Sequence, residues 1–142
     1  MSSSGIHPAE YNDADYYLWH NGILKEGYVK QLAAELDESP DTWDTQLLLQ
    51  LISATNDISA LSGVDGTFAC FLHMDSIGRT MVFRNALSPI WYDDDLNFSS
   101  TKFRGSKSLP AGKVFVIDVT NRVLIPTGSK FDTMNNPYML KE

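Results

Sequence analysis

The sequence predicts an α+β fold: antiparallel β-sheet with two helices packed on one face. Three observations lead there. Residues 25–55 carry apolar side chains at helical spacing, in two separate runs. After Gly63 the apolar period changes to two and stays there to about Ile125. The β-type runs are separated by short turns of Asp, Gly, Pro and Ser, too short to hold the crossover helices that a parallel sheet needs.

The elements follow in order. Asp15-Tyr-Tyr-Leu-Trp19 is aromatic-rich and reads as a strand, and Asn21-Gly22 after it favours a turn with positive φ. From Lys25 to Leu36, Tyr28, Leu32 and Leu36 lie four apart with Val29 and Ala33 beside them, one apolar stripe of a helix that leaves Lys30 exposed. Ser39-Pro40 reads as an N-cap with proline at the first helical position. The second helix runs to about Thr55, with Leu47, Leu48, Leu51 and Ile52 as its buried face. Gly66 to Leu72 is a strand centred on Phe68-Ala-Cys-Phe71. It turns at Asp75-Ser-Ile-Gly78 into a hairpin partner, Thr80 to Arg84. Pro89 to Tyr92 and Leu96 to Ser100 are short strands either side of the polar turn Asp93-Asp94-Asp95. After the turn Leu109-Pro-Ala-Gly112, Lys113 to Val119 is a strand with Val114, Val116 and Asp118 on one side and Phe115 and Ile117 on the other; Arg122 to Ile125 pairs back on it.

Composition bounds the function. At 142 residues, with 43% hydrophobic and 20% charged residues, residues 1–142 form a single domain, with 1–14 and 134–142 as loose ends. No apolar run approaches the roughly 20 residues of a membrane span, and the N-terminus has no basic region or apolar core of a secretory signal. One cysteine, Cys70, leaves no internal disulfide, so the expected compartment is a reducing cytoplasm. The net charge is −7. Residues 1–71 hold 11 acids against 2 bases, and residues 72–142 hold 7 acids against 9 bases. An acidic half with a weakly basic one argues against nucleic acid as a partner. His7 and His20 have no third ligand at a metal-site spacing, and the three aspartates at 93–95 lack the alternation of a calcium loop, so no metal is expected.

Seven short segments resemble class II glutamine amidotransferases, which are N-terminal-nucleophile hydrolases. His20-Asn21-Gly22 resembles the HNG turn of that family, and His7-Pro8 the His-Pro shortly before its strand. Trp43-Asp44-Thr45-Gln46-Leu47 resembles the DTE motif at a helix start, with Gln46 where the family usually has Glu. Gly63 to Ala69, Arg84 with Pro89-Ile-Trp-Tyr92, Phe98-Ser-Ser100 and Leu109-Pro-Ala-Gly112 follow in the family's order, and together the matches cover residues 5–120. The resemblance implies part of the αββα sandwich of those hydrolases. It implies that the Asn21 side chain and the Gly22 N–H form an oxyanion hole, and that Asp44 binds the α-ammonium of glutamine. No cofactor is implied.

The family's nucleophile is a cysteine at the mature N-terminus, followed by an arginine loop that grips the glutamine carboxylate, both upstream of the His-Pro segment. Here the chain is expected to start in the middle of that domain. Cys70 lies in an apolar strand and reads as an inert small hydrophobe; Ser2, exposed by loss of Met1, is the weaker alternative nucleophile. Plainer roles exist for the same residues. Asn21-Gly22 makes a tight turn without any catalysis, and Asp44 meets the helix dipole for roughly 0.3–1 kcal/mol. His20 holds the turn by hydrogen bonding, His73 reads as surface, and Trp19, Trp43 and Trp91 read as core or site wall. Three functions remain open: one half of a split glutaminase completed by a complementary protein fragment, a catalytically dead remnant reused as a binding or regulatory protein, and a glutamine sensor. Missing first strands would leave a sheet edge open at Asp15 to Trp19, so pairing with a complementary fragment or self-association is expected there. The competing expectation is that Ser2 to Tyr11 folds back over that edge.

Overall fold

Period-two alternation places the side chains of a half-buried strand on opposite faces, and Tyr16–Asn21 (β2) obeys it. Leu18 is fully buried on one face, while Trp19 on the other is 40% exposed. The computed structural model describes residues 9–11, 15–39, 41–55 and 58–133. Its elements are β1 (Ala9–Tyr11), β2, α1 (Glu26–Glu35), α2 (Asp44–Thr55), β3 (Ala69–Met74), β4 (Arg79–Arg84), β5 (Trp91–Tyr92), β6 (Phe98–Ser99), β7 (Lys107–Ser108), β8 (Lys113–Asp118) and β9 (Val123–Lys130), with short 3-10 turns at Ile58–Gly63 and Asp75–Ile77. Six strands form an antiparallel sheet in the order β1-β2-β3-β4-β8-β9, and β6-β5-β7 form a second, small one. The architecture is α+β with antiparallel sheets.

The large sheet is buried on both faces. On one, Leu18, Cys70, Leu72, Phe83 and Val114 pack with Leu48, Leu49 and Ile52 of α2 and with Leu61. On the other, Ala69, Val82 and Phe115 pack with Ile90 and Leu109, flanked by Phe71, Tyr92 and Phe98 around the small sheet. Helix α2 lies on the sheet. Helix α1 packs mainly on α2 through Leu32, Ala33 and Leu47, with Tyr28 and Val29 also reaching the main core.

Several expectations are corrected. The second helix starts at Asp44, not after Ser39, because the Ser39 hydroxyl accepts the Asp41 N–H at 3.2 Å in a local turn; Pro40 lies outside the described residues. Its buried face includes Leu49, fully buried, while Leu51 is only half-buried, since the helix turns Leu48, Leu49 and Ile52 to the sheet and Leu47 to α1. Lys30 is exposed as expected. The hairpin of β3 and β4 and the two faces of β8 match the sequence reading. Strand β9 is longer than expected and β7 was not foreseen, because neither carries an alternating apolar pattern.

The largest correction concerns β2. Residues Ala9–Tyr11, in the stretch expected to be loose, form β1 and pair with Leu18, Tyr17 and Tyr16. Tyr16 to Leu18 are therefore covered on both sides and are not an open edge. Gln46 of α2 donates its side-chain amide to the Glu10 carbonyl at 3.0 Å, so the helix also ties the outer side of β1. Residues 1–8 and 134–142 lie outside the described residues.

Candidate functional site

The site begins where β2 ends. Beyond Asn21 the chain must leave the sheet and enter α1, and Gly22 makes that possible. Its φ is +140°, and a Cβ there would sit 2.3 Å from the Thr67 carbonyl oxygen. Thr67 then clamps the turn from both directions: its N–H donates to the Ile23 carbonyl at 2.9 Å, and its hydroxyl accepts the Ile23 N–H at 2.9 Å.

His20 fastens the same turn from the helix side. Its Nε2 lies 3.1 Å from the Thr67 carbonyl, which can only accept, so Nε2 carries the proton. Nδ1 lies 3.2 Å from the Thr45 hydroxyl and accepts from it. Burial depresses the affinity of the ring for a second proton; the Thr67 carbonyl and the nearby Asp44 charge oppose that without overcoming it. His20 is thus a neutral bracket between β2, α2 and the Thr67 segment. Asp44, at the first turn of α2, accepts the Leu24 N–H at 3.3 Å.

Asn21 faces the other way. Its main-chain carbonyl accepts the hydroxyl of Ser88, itself buried, at 3.1 Å. Ser88 is placed by the buried Asn85. The Asn85 amide donates to the Gly66 carbonyl at 2.7 Å, and its oxygen accepts the N–H groups of Phe68 and Leu87 at 3.2 Å each. Arg84 is spent on structure too: its guanidinium donates to the carbonyls of Leu109 and Asn85 and to the Ser108 hydroxyl.

Asn21 opens onto a cavity of about 330 Å³ between the large and small sheets. Trp19, Phe71, Ile90 and Phe98 give it apolar walls, and Asn21, Ser99 and Ser100 add polar groups. This lies at the small end of the roughly 300–1,000 Å³ usual for small-molecule sites, and the mix of apolar wall and few polar groups is typical of them. Of the three residues singled out from the sequence, Asn21 lines the cavity, Gly22 adjoins it in the turn, and Asp44 is not among its walls. Cys70 is fully buried on the opposite, helix-facing side of β3, where burial pushes its thiol far up. The Ser99 hydroxyl bonds with the Thr101 hydroxyl at 3.3 Å and accepts the Thr101 N–H at 3.1 Å. No group of three or more potential metal ligands occurs among the described residues, and no described helix is long and apolar enough to cross a membrane. Thr45, Thr67, Asn85 and Ser88 build the site without having been singled out. Thr45 and Thr67 carried a sequence signal, Thr45 in the Trp43 to Leu47 match and Thr67 in the Gly63 to Ala69 match.

No protein-family model matches the chain, and no curated protein does. Solved structures do. One is glutamine phosphoribosylpyrophosphate amidotransferase from B. subtilis complexed with ADP and GMP, at a TM-score of 0.56 and 20% identity over 82% of this chain. Another is described as the allosteric regulatory enzyme of purine biosynthesis, at a TM-score of 0.60 and 19% identity over 94% of this chain. This chain shares their fold. It spans 30% and 32% of the length of those two chains. At such identity the shared property is the fold alone, α+β with antiparallel sheets.

Proposed function

We propose that this chain is the amide-holding part of a glutaminase site of the class II amidotransferase type, and that a second polypeptide supplies the nucleophile. The observation that supports this most is the braced turn at Asn21-Gly22 beside a small-molecule-sized cavity, with no activated nucleophile on the cavity wall among the described residues. In this reading the Asn21 side chain and the Gly22 N–H hold the oxygen of the glutamine side-chain amide. Two such donors stabilise the tetrahedral oxyanion once a nucleophile attacks, each contributing about 3–4 kcal/mol. Asp44 positions the turn through Leu24 rather than reaching the cavity itself. With no attacking group on the cavity wall among the described residues, the chain alone is expected to bind glutamine without cleaving it.

Calorimetric titration with glutamine and an ammonia assay on the pure chain test the proposal together. Binding that Asn21→Ala abolishes, with no ammonia above background, is the expected result. Ammonia release abolished by Ser2→Ala would overturn the second-polypeptide reading, because the chain would then carry its own nucleophile. No binding of glutamine at millimolar concentration would overturn the amide-holding reading. It would leave the fold as a reused scaffold.

A further inference from the structure

The polar side chains around the cavity beside Asn21 are all neutral. Trp19 and Asn21 lie opposite Phe71 and Ala69 of β3, so these four residues share one face of the large sheet. That face looks onto the cavity, and Asn21 projects from it. The ring of His20, one position away, goes to the other face and is held there by Thr45 and Thr67. The remaining polar side chains of the wall are the carboxamide of Asn21 and the hydroxyls of Ser99 and Ser100. Each can both donate and accept. Ser99 already bonds with Thr101, which leaves Asn21 and Ser100 to meet a ligand. Among the described residues no charged side chain lines the cavity. Arg84 spends its guanidinium on the Leu109 and Asn85 carbonyls, and Asp44 turns its carboxylate to the Leu24 N–H.

The rest of the wall is apolar and rich in rings. Phe71 and Phe98 meet edge to face, with centroids 5.1 Å apart and planes at 83°. Trp19 stacks on Tyr17 with centroids 6.4 Å apart and stays partly exposed, so it stands at the mouth of the cavity. Aromatic rings attract one another in edge-to-face and offset arrangements beyond the area they bury, and a planar ring in this cavity would have three such neighbours. A charged group in the same place would lose water without meeting an opposite charge on these walls, which is costly. At about 330 Å³ the cavity is of small-molecule size, so selection falls to the chemistry of its walls.

We propose that this cavity takes an uncharged primary carboxamide carried on an aromatic ring, in preference to free glutamine. The idea rests on the reading of Asn21 as the amide holder and names the ligand class that this chain selects by itself. The Asn21 amide meets the ligand amide head to head: its N–H donates to the ligand oxygen, and its oxygen accepts a ligand N–H. The ligand ring lies against Phe71, Phe98 and Trp19. The ammonium and carboxylate of glutamine have no opposite charge on the described walls, so in the function proposed above they fall to the second polypeptide.

Calorimetric titration of the full chain with benzamide, benzoate and glutamine tests the proposal. Benzoate keeps the ring and replaces the amide by a charge. Benzamide should bind at least about tenfold more tightly than either of the others, because it alone brings no charge into the cavity. Asn21→Ala, at an exposed position, should weaken benzamide by about tenfold through the lost hydrogen bonds. Phe98→Leu keeps an apolar wall without the ring. It should weaken benzamide and leave butyramide, an aliphatic amide, unchanged. Glutamine binding as tightly as benzamide overturns the aromatic-amide proposal and leaves the glutaminase reading standing. Benzoate binding as tightly as benzamide, or benzamide binding that neither variant weakens, also overturns it. Benzamide binding without glutamine binding at millimolar concentration supports it and removes glutamine from the function proposed above. No binding of any of the three overturns both.

Discussion

The hydroxyl of Ser88 donates to the main-chain carbonyl of Asn21 across 3.1 Å, joining residues 67 positions apart in the chain. It ties the segment after β4 to the end of β2 at the cavity. Asn85 holds the Ser88 segment in turn, so the Asn21 turn is referenced to β4 as well as to its own strand.

Ser88→Ala removes that donor at a site 7% exposed and leaves the Asn21 carbonyl short of one bond. The expected cost is about 1 kcal/mol, the usual net value of such a bond. Ser100→Ala, at an exposed position, should stay within about 0.5 kcal/mol. Urea midpoints of the two variants measure the difference. Equal midpoints would mean that Ser88 does not hold the turn.

Two glycines should respond in opposite directions. At Gly22 a methyl group would collide with the Thr67 carbonyl at 2.3 Å, on a backbone at φ +140°. Gly22→Ala should cost about 3 kcal/mol or more. Gly27 lies inside α1, where a Cβ would meet nothing within 4 Å. Gly27→Ala should stabilise by about 0.5–1 kcal/mol, because alanine loses less backbone entropy in a helix. Thermal or denaturant unfolding of both variants gives the sign directly.

The contrast between these glycines also marks how much was legible in the sequence. Asn21-Gly22 announces a turn because so few residue types tolerate its backbone. The alternation of Val114, Phe115, Val116 and Ile117 announces a strand with two buried faces, and the structure shows both. By contrast, β1 is three residues long and is held by pairing and by Gln46, so periodicity had nothing to measure. Ser88 and Thr67 are small polar residues whose role arises only from partners 67 and 44 positions away. Ser39-Pro40 carried a good local capping signal that lost to a turn, with the helix starting at Asp44.

His20 predicts a pH dependence. In the fold its pKa is depressed below 6.5, chiefly by burial, while the unfolded chain keeps the ordinary value. Below pH 6.5 the unfolded state therefore binds more protons, and stability falls as pH falls. The stabilisation is fully present above the unfolded pKa and is lost as pH drops through 6.5 towards the folded one. Between about pH 7.5 and about pH 5.5, the range in which histidines titrate, the unfolding midpoint should decline. His20→Gln keeps a donor and an acceptor without a titrating ring, so its midpoint should decline less. An equal decline in both proteins would assign the dependence to another group.

The last prediction concerns Gln46, which stands where the resembled motif has glutamate. Its side-chain amide donates to the outward-facing Glu10 carbonyl at 3.0 Å. A carboxylate cannot donate, so Gln46→Glu would replace an attraction by two oxygens facing each other. Strand β1 has only three paired residues and is the edge of the sheet, so losing one tie should show locally before it shows globally. The bond is exposed, and the global cost should be about 1 kcal/mol or less. The local effect should be larger. The Tyr16 and Leu18 amides, which face β1, should exchange faster in the variant, while the Cys70 and Leu72 amides, which face β4 in the centre of the sheet, should keep their rates. Gln46→Met removes the donor without adding charge. It should give a smaller acceleration than Gln46→Glu if repulsion adds to the lost bond. Unchanged exchange at Tyr16 and Leu18 in both variants would show that β1 holds its place on pairing with β2 and the burial of Ala9 alone, and that the glutamine has no part in keeping the edge of the sheet closed.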